Sequence, residues 1–363
     1  MAQVARLAGV SSATVSFVVN DDPKAQTLTQ ATRDKVLEAV RLLDYRPNLQ
    51  ARSLRTQRSH SIAVLTDELT AVPYENSTIR GMQERAWAGG FMVTTMTTGG
   101  NAALAEHAVE VVLARQFDAV IVTTAFTREV EVPAAFDSIP LVLLNCFSRD
   151  GHRSVLPAER SGSRSAAELL LAAGHTRIGF INGLRETWAA GQRRLGYRDA
   201  LRAAGIAYDR TLVRWGDYQT DSGHRHATVL LDSPNPPTAI MAGNDRMAVG
   251  VYYAAYQRGL RIPEDLSVVG YDDHAEFSAH AVPAMSTVRL PYYEMGRAAV
   301  DLLIAGTPAG DAPPTGHGLV TEVECQPVAR KSIGPPRSDP IAPSPPARPR
   351  DQARDDAPPE NPT

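Results

Sequence analysis

Residues 4–20 (VARLAGVSSATVSFVVN) leave this chain little choice of local structure. Val4, Leu7 and Ala8 recur at i, i+3, i+4 spacing, and Val15, Val18 and Val19 repeat it, so two short helices with one apolar face each are expected. Gly9 can leave the first helix through left-handed backbone without a Cβ penalty, and Ser11 has the side chain that caps the second. A helix-turn-helix of this kind sets its second helix in the DNA major groove. The same spacing would also serve two amphipathic helices of an ordinary core, so the following sequence has to discriminate.

Thr29 can cap a third helix, whose apolar positions Val36, Leu37, Val40 and Leu43 recur at helical spacing, and Pro47 ends it. Charge singles out the same region. Residues 1–60 carry nine Lys and Arg against five acids, whereas the rest of the chain carries 28 against 35. A basic headpiece on an acidic body is drawn to phosphates by one end only, with binding that weakens as salt rises.

Beyond residue 58 the period changes. Residues 61–65, 118–122, 141–144, 177–181, 238–241 and 266–269 are short, continuous apolar runs of the kind found in strands buried on both faces. Helical stretches at 79–88, 104–115, 161–173, 193–204 and 247–258 alternate with them, which implies parallel α/β sheets with crossover helices. About 270 residues of this alternation exceed one ordinary doubly wound sheet, so two α/β lobes with a cleft are expected, with ligands at the carboxyl ends of the strands. The domain boundaries read as 1–45 for the headpiece, 46–58 for a linker, 59–330 for the body and 331–363 for a disordered, Pro-rich tail.

Composition excludes several classes. Cys146 and Cys325 are far apart with no C-x-x-C, so no disulfide framework or zinc site is implied, and a reduced cytoplasmic setting fits. No apolar run reaches the roughly 18–20 residues of a membrane span, and no signal-peptide pattern opens the sequence. No strand is followed by G-x-G-x-x-G, and no nucleophile or metal-ligand cluster accompanies Asp272 and Asp273; neither an enzyme nor a cofactor is expected.

Over residues 2 to about 330 the chain resembles the LacI/GalR family of bacterial transcription regulators. The resemblance rests on the residue 4–16 motif, on Tyr45-Arg46-Pro47-Asn48 with Ala51 and Leu54, and on Gly174-His175-Thr176-Arg177-Ile178. Gly243-Asn244-Asp245, the run from Ile262 to Asp273, and Glu294-Met295-Gly296 extend it in family order. It implies an α/β fold: a three-helix headpiece followed by a two-lobed body like the periplasmic binding proteins, with parallel sheets.

The resemblance also implies roles. Ser12, Ala13 and Phe17 would face base edges, and Thr14, Ser16 and Asn20 would contact phosphates. None of the first three has the bidentate fork that reads a purine, which leaves Ala13 and Phe17 to pack on thymine methyls; Phe17 could equally be buried in the headpiece. Asn48, Ala51 and Leu54 would form a hinge helix that folds on DNA, Leu54 wedging into the minor groove or else docking on the body. The effector set would be Asn145, Trp188, Arg193, Tyr218, Asn244 and Asp272, with Arg193 opening a helix, Tyr218 or Trp188 covering an apolar ring face, and Trp188 otherwise a surface residue.

The implied partners are double-stranded DNA with a palindromic operator, a sugar or similar polyol, and a second copy of the chain, with no membrane. A dimer is expected because the tail is Pro-rich where some members carry a Leu-rich coiled coil. The chain departs from the family pattern at Gln3, where an Asp is usual, at Ala158-Glu159, where an Asp-Asn pair is common, and at Leu290, where some sugar binders are polar. A free α-ammonium at Met1 would oppose the first helix's dipole, so a start upstream of Met1 is expected. The competing function is a sugar-binding solute receptor without a DNA role, opposed by the basic headpiece.

Overall fold

The computed structural model describes residues 1–20, 22–46, 58–68, 75–305 and 320–337. The hinge residues Asn48, Ala51 and Leu54 lie outside them, and their assignment rests on the resemblance alone.

The headpiece is three helices, α1 (Ala2–Ala8), α2 (Ser12–Val19) and α3 (Gln30–Leu42). Gly9 ends α1 in left-handed backbone at φ 68°, and Ser11 Oγ accepts the Thr14 amide at 3.1 Å to start α2. Thr29 Oγ1 accepts the Thr32 amide at 3.2 Å to start α3. Its core is Val4, Ala5, Ala8, Val15, Val36 and Ala39. Leu7 and Leu37, expected inside, are 54% and 52% exposed, and Leu43 is exposed as well. Ala5 and Ala39 take buried positions instead, beside the fully buried Val4, Val15 and Val36.

Two compact α/β units follow. The first takes in the described residues of 58–125, 129–155 and 292–321 and is grouped with the headpiece. Its strands β1 (Ser61–Thr66), β2 (Met92–Thr97), β3 (Ala119–Glu129), β4 (Leu141–Phe147) and β5 (Ser154–Pro157) join β11 (Val320–Val323) in one sheet of order β11-β5-β4-β3-β1-β2. β1 runs parallel to both neighbours, Ser61 opposite Met92 and Ile62 opposite Ala119. Helices α4 (Glu75–Ala88) and α5 (Ala102–Ala114) make the crossovers.

The second unit comprises residues 126–128, 156–291 and 322–337. Its sheet has the order β7-β6-β8-β9, built from β6 (Ile178–Asn182), β7 (Val213–Trp215), β8 (Ala239–Ala242) and β9 (Ser267–Val269), all parallel. Helices α6 (Glu159–Ala172), α7 (Trp188–Ala203), α8 (Thr220–Leu231) and α9 (Asp245–Gln257) cover it. A short antiparallel pair joins β10 (Thr287–Arg289) to β12 (Gln326–Val328). Helix α10 (Tyr292–Ala305) returns to the first unit and packs on α4, where Arg85 pairs with Asp301 and Tyr293 Oη donates to Glu84 at 2.6 Å.

The apolar runs read from the sequence all became strands. The tail did not begin where expected. Residues 331–337 belong to the second unit: Ser332 is fully buried, its Oγ donates to the Val268 carbonyl at 2.6 Å and accepts the Ser286 amide at 2.8 Å. The Gly334 carbonyl lies 3.0 Å from His175 Nε2.

Candidate effector and nucleic-acid sites

On α2, Ser12 and Ala13 are exposed, while Thr14, Ser16, Phe17 and Asn20 are half-buried. Ser12 and Ala13 therefore hold the accessible positions at the helix start. Phe17 sits neither in the core nor free of it, with Lys24 Nζ 5.5 Å from its ring centroid. Such a ring keeps an apolar face beside a cation, which suits a methylated base edge next to a phosphate. Ser16 and Asn20 are tied together: Asn20 Nδ2 donates to the Ser16 carbonyl at 2.8 Å and to its Oγ at 3.2 Å. That lock holds the end of α2 and fixes the Asn20 amide.

In the second unit, the structure brings together Arg193, Asp272, Tyr218 and Asn244. Arg193 does not open a helix as expected; Thr187 caps α7, Trp188 is its first residue, and Arg193 lies inside it. Its guanidinium is buried, and each of its three nitrogens donates a hydrogen bond. Nε and Nη2 donate to the two carboxylate oxygens of Glu159 at 2.7 and 2.8 Å, and Nη1 donates to the Gly243 carbonyl. Nη2 also stands 3.9 Å from Asp272 Oδ1, and the guanidinium lies 3.9 Å from the Tyr271 ring centroid. Burial alone would lower the Arg193 pKa, but the charge and hydrogen bonds of Glu159 outweigh it and hold the group protonated well above its ordinary value.

Glu159 was missed in the sequence as a site residue. It opens α6 one turn before Gly162, and its side chain is buried. The alignment of α6 on α7 is set at Gly196, where a Cβ would stand 2.1 Å from the Arg160 carbonyl oxygen. Only a glycine lets the helices come this close, and that approach carries Arg193, one turn earlier, onto Glu159.

Asp272 is held by its own backbone and by Asp245. It sits at φ 111° and Asp273 at φ 57°, left-handed conformations that non-glycine residues adopt only when their surroundings insist. The Asp272 amide donates to the Val288 carbonyl at 2.8 Å. Asp245 fastens both flanks of the turn: its amide donates to the Tyr271 carbonyl at 2.8 Å, and its Oδ2 accepts the His274 amide at 2.7 Å. Thr287 Oγ1 donates to Asp245 Oδ1 at 2.6 Å. Burial, then the neighbouring Asp272, raise the Asp245 pKa well above the ordinary carboxylate value.

Asn244 has structural duties as well. Its Oδ1 accepts the Met247 amide at 2.9 Å to cap α9, and its Nδ2 donates to the Tyr218 carbonyl at 3.0 Å. Tyr218 is itself left-handed at φ 68°, and its hydroxyl meets Thr187 Oγ1 at 3.1 Å. Trp188 is half-buried at the start of α7, neither a free surface ring nor a core residue.

Asn145 belongs to the first unit and the other five to the second. It is left-handed at φ 57°, buried in β4, and its Nδ2 donates to the Thr124 carbonyl at 2.9 Å. It lines a cavity of about 30 Å³ with Thr66, Thr78, Thr95 and Thr124, room for roughly one water molecule. Among the described residues, no three His, Cys, Asp or Glu side chains come together to hold a metal ion.

A DNA-reading headpiece, a two-lobed body with parallel sheets and a buried charged cluster at the strand ends together define a ligand-responsive transcription regulator. The comparisons agree. Residues 1–48 match the bacterial regulatory proteins of the lacI family, and residues 167–333 match the periplasmic binding protein-like domain. The chain is 33% identical over 307 residues to the ribose operon repressor of Escherichia coli (strain K12), covering 84% of this chain and 92% of that protein. It is 32% identical to catabolite control protein A of Priestia megaterium, over 83% of this chain and 90% of that one. The lac repressor dimer bound to operator and the anti-inducer ONPF superposes with a TM-score of 0.72 at 28% identity, over 91% of this chain and 98% of that one. The complex of the regulator CelR with cellobiose gives 0.63 at 30% identity, with the same coverage. The chain belongs to the LacI family.

Proposed function

We propose that this regulator is a homodimeric repressor that binds a palindromic operator through α2 and changes its DNA affinity when its second unit takes up a sugar or related polyol. The observation that carries the reading is the pairing, in one chain, of a capped helix-turn-helix presenting Ser12 and Ala13 with the Arg193, Asp272 and Tyr218 cluster. Carboxylate and amide groups around an aromatic floor suit hydroxyl groups and an apolar ring face. Relatives named for ribose and a neighbour solved with cellobiose support the sugar class. Ser12, Ala13 and Phe17 would lie at base edges, Thr14, Ser16 and Asn20 at phosphates, and Asn145, Trp188, Arg193, Tyr218, Asn244 and Asp272 around the effector. A solute receptor without a DNA role is disfavoured by the match of residues 1–48.

Coupling follows from linkage: a ligand that favours one arrangement of the body must change operator affinity by the ratio of its affinities for the two arrangements. The test is a gel shift with the full chain on the palindromic site upstream of its own operon, at several salt concentrations, with and without D-ribose and cellobiose. Salt-sensitive binding modulated by a sugar supports the reading. Absence of binding to any DNA would sink it.

A further inference from the structure

We infer that Glu159 is a specificity-determining residue that closes this effector site to carboxylated and phosphorylated ligands, so that the effector meets Arg193 without an anionic group. The inference rests on the proposed effector site and sharpens its ligand class.

Arginine recognises carboxylate and phosphate through the fork of two parallel N–H groups. In this chain that fork is already filled from within, by the Glu159 carboxylate at 2.7 and 2.8 Å, on the Nε and Nη2 edge. The Nη1 group donates to the Gly243 carbonyl, and one face of the guanidinium lies against the Tyr271 ring. Asp272 stands 3.9 Å from Nη2, so two carboxylates stand beside this guanidinium.

An anionic ligand could reach Arg193 only by displacing Glu159, and displacement would strand a buried carboxylate whose partner is gone. Ligand hydroxyls meet no such obstacle, since carboxylates accept from O–H donors and an aromatic ring takes an apolar face. Discrimination on the order of 100-fold between a polyol and its acid follows from the cost of breaking a buried pair.

The experiment is a thermal-shift and calorimetric comparison of the full-length wild type and Glu159→Gln. The probes are D-ribose, cellobiose, D-gluconate, D-ribose 5-phosphate and inorganic phosphate. Wild type should bind neither gluconate nor either phosphate at concentrations 100-fold above those at which a neutral sugar saturates. Glu159→Gln, its fold checked by circular dichroism, should gain binding of at least one anion, because the fork is released. Anion binding by the wild type overturns the inference, as does a folded Glu159→Gln that gains none. Should that variant not fold, the wild-type comparison alone decides. The effector reading itself fails by a different result: no neutral sugar alters operator binding by the wild type.

Discussion

Arg193 and Glu159 lie 34 residues apart in sequence and meet through two parallel hydrogen bonds in a site closed to solvent. Neither side chain has a substitute partner of equal geometry. Removing one leaves the other charged and buried, so Glu159→Ala should lower unfolding stability by about 3 kcal/mol. Urea denaturation followed by tryptophan fluorescence measures it. The double variant Glu159→Met, Arg193→Met should lose less than either single truncation, since it strands no charge.

Asp272 is the carboxylate of the cluster on the strained turn after β9. Asp272→Asn keeps its size and removes its charge. We expect operator affinity within about twofold of wild type in the absence of effector, and loss of at least tenfold in sugar affinity by calorimetry, about 1.4 kcal/mol. Unchanged sugar affinity would remove Asp272 from the effector set.

Gly196 fixes the distance between α6 and α7. A methyl group there would overlap the Arg160 carbonyl oxygen at 2.1 Å, and backbone cannot rotate away as a side chain can. Gly196→Ala should cost on the order of 1–3 kcal/mol. It should also weaken the Glu159 contact of Arg193, which a smaller stabilisation by sugar in thermal melts would report.

Acid should destabilise the second unit through His175. Burial holds its pKa below the ordinary 6.5, and the neutral ring is used on both sides, by Thr238 Oγ1 at 2.8 Å and the Gly334 carbonyl at 3.0 Å. The unfolded chain then binds more protons than the folded one between the lowered pKa and 6.5. Stability is accordingly full above about 6.5 and falls as the pH drops below it. Denaturation midpoints at pH 7.5 and 5.5 should differ, and His175→Gln should narrow that difference while lowering both values.

At the headpiece, Ser11→Ala removes the cap of α2 and should cost about 1 kcal/mol. Ala13→Glu should leave the melting temperature nearly unchanged, because the position is exposed, yet abolish operator binding by setting a carboxylate against the DNA. Retained operator binding by Ala13→Glu in a gel shift would take α2 off the DNA.

The fold was legible wherever burial was two-sided. Continuous apolar runs such as 141–144 and 266–269 became β4 and β9. The edge strand β2, with its threonines and a half-exposed face, carried no such run and escaped notice, as did the polar helix α8. In the headpiece Val4, Ala8, Val15 and Val36 were legible as core, whereas Leu7 and Leu37 read as core by hydrophobicity alone but are exposed, with the smaller Ala5 and Ala39 buried in their place. Resemblance supplied Arg193 and Asp272, whereas Glu159 carried a signal only as an acid at a position usually held by another residue. Its partner is set by a helix crossing, which no local pattern encodes. The left-handed backbone of Asn145, Tyr218 and Asp272 was equally hidden, because nothing in those residue types demands it.

The order in which the elements emerge during synthesis has its own consequence. Every buried residue of the headpiece core lies within residues 4–39, so that core is complete long before the ribosome reaches the effector residues. The first unit must wait for α10 and the second for Ser332 and Gly334, at the very end of the described sequence. The DNA-reading helices are thus assembled ahead of the machinery that governs them.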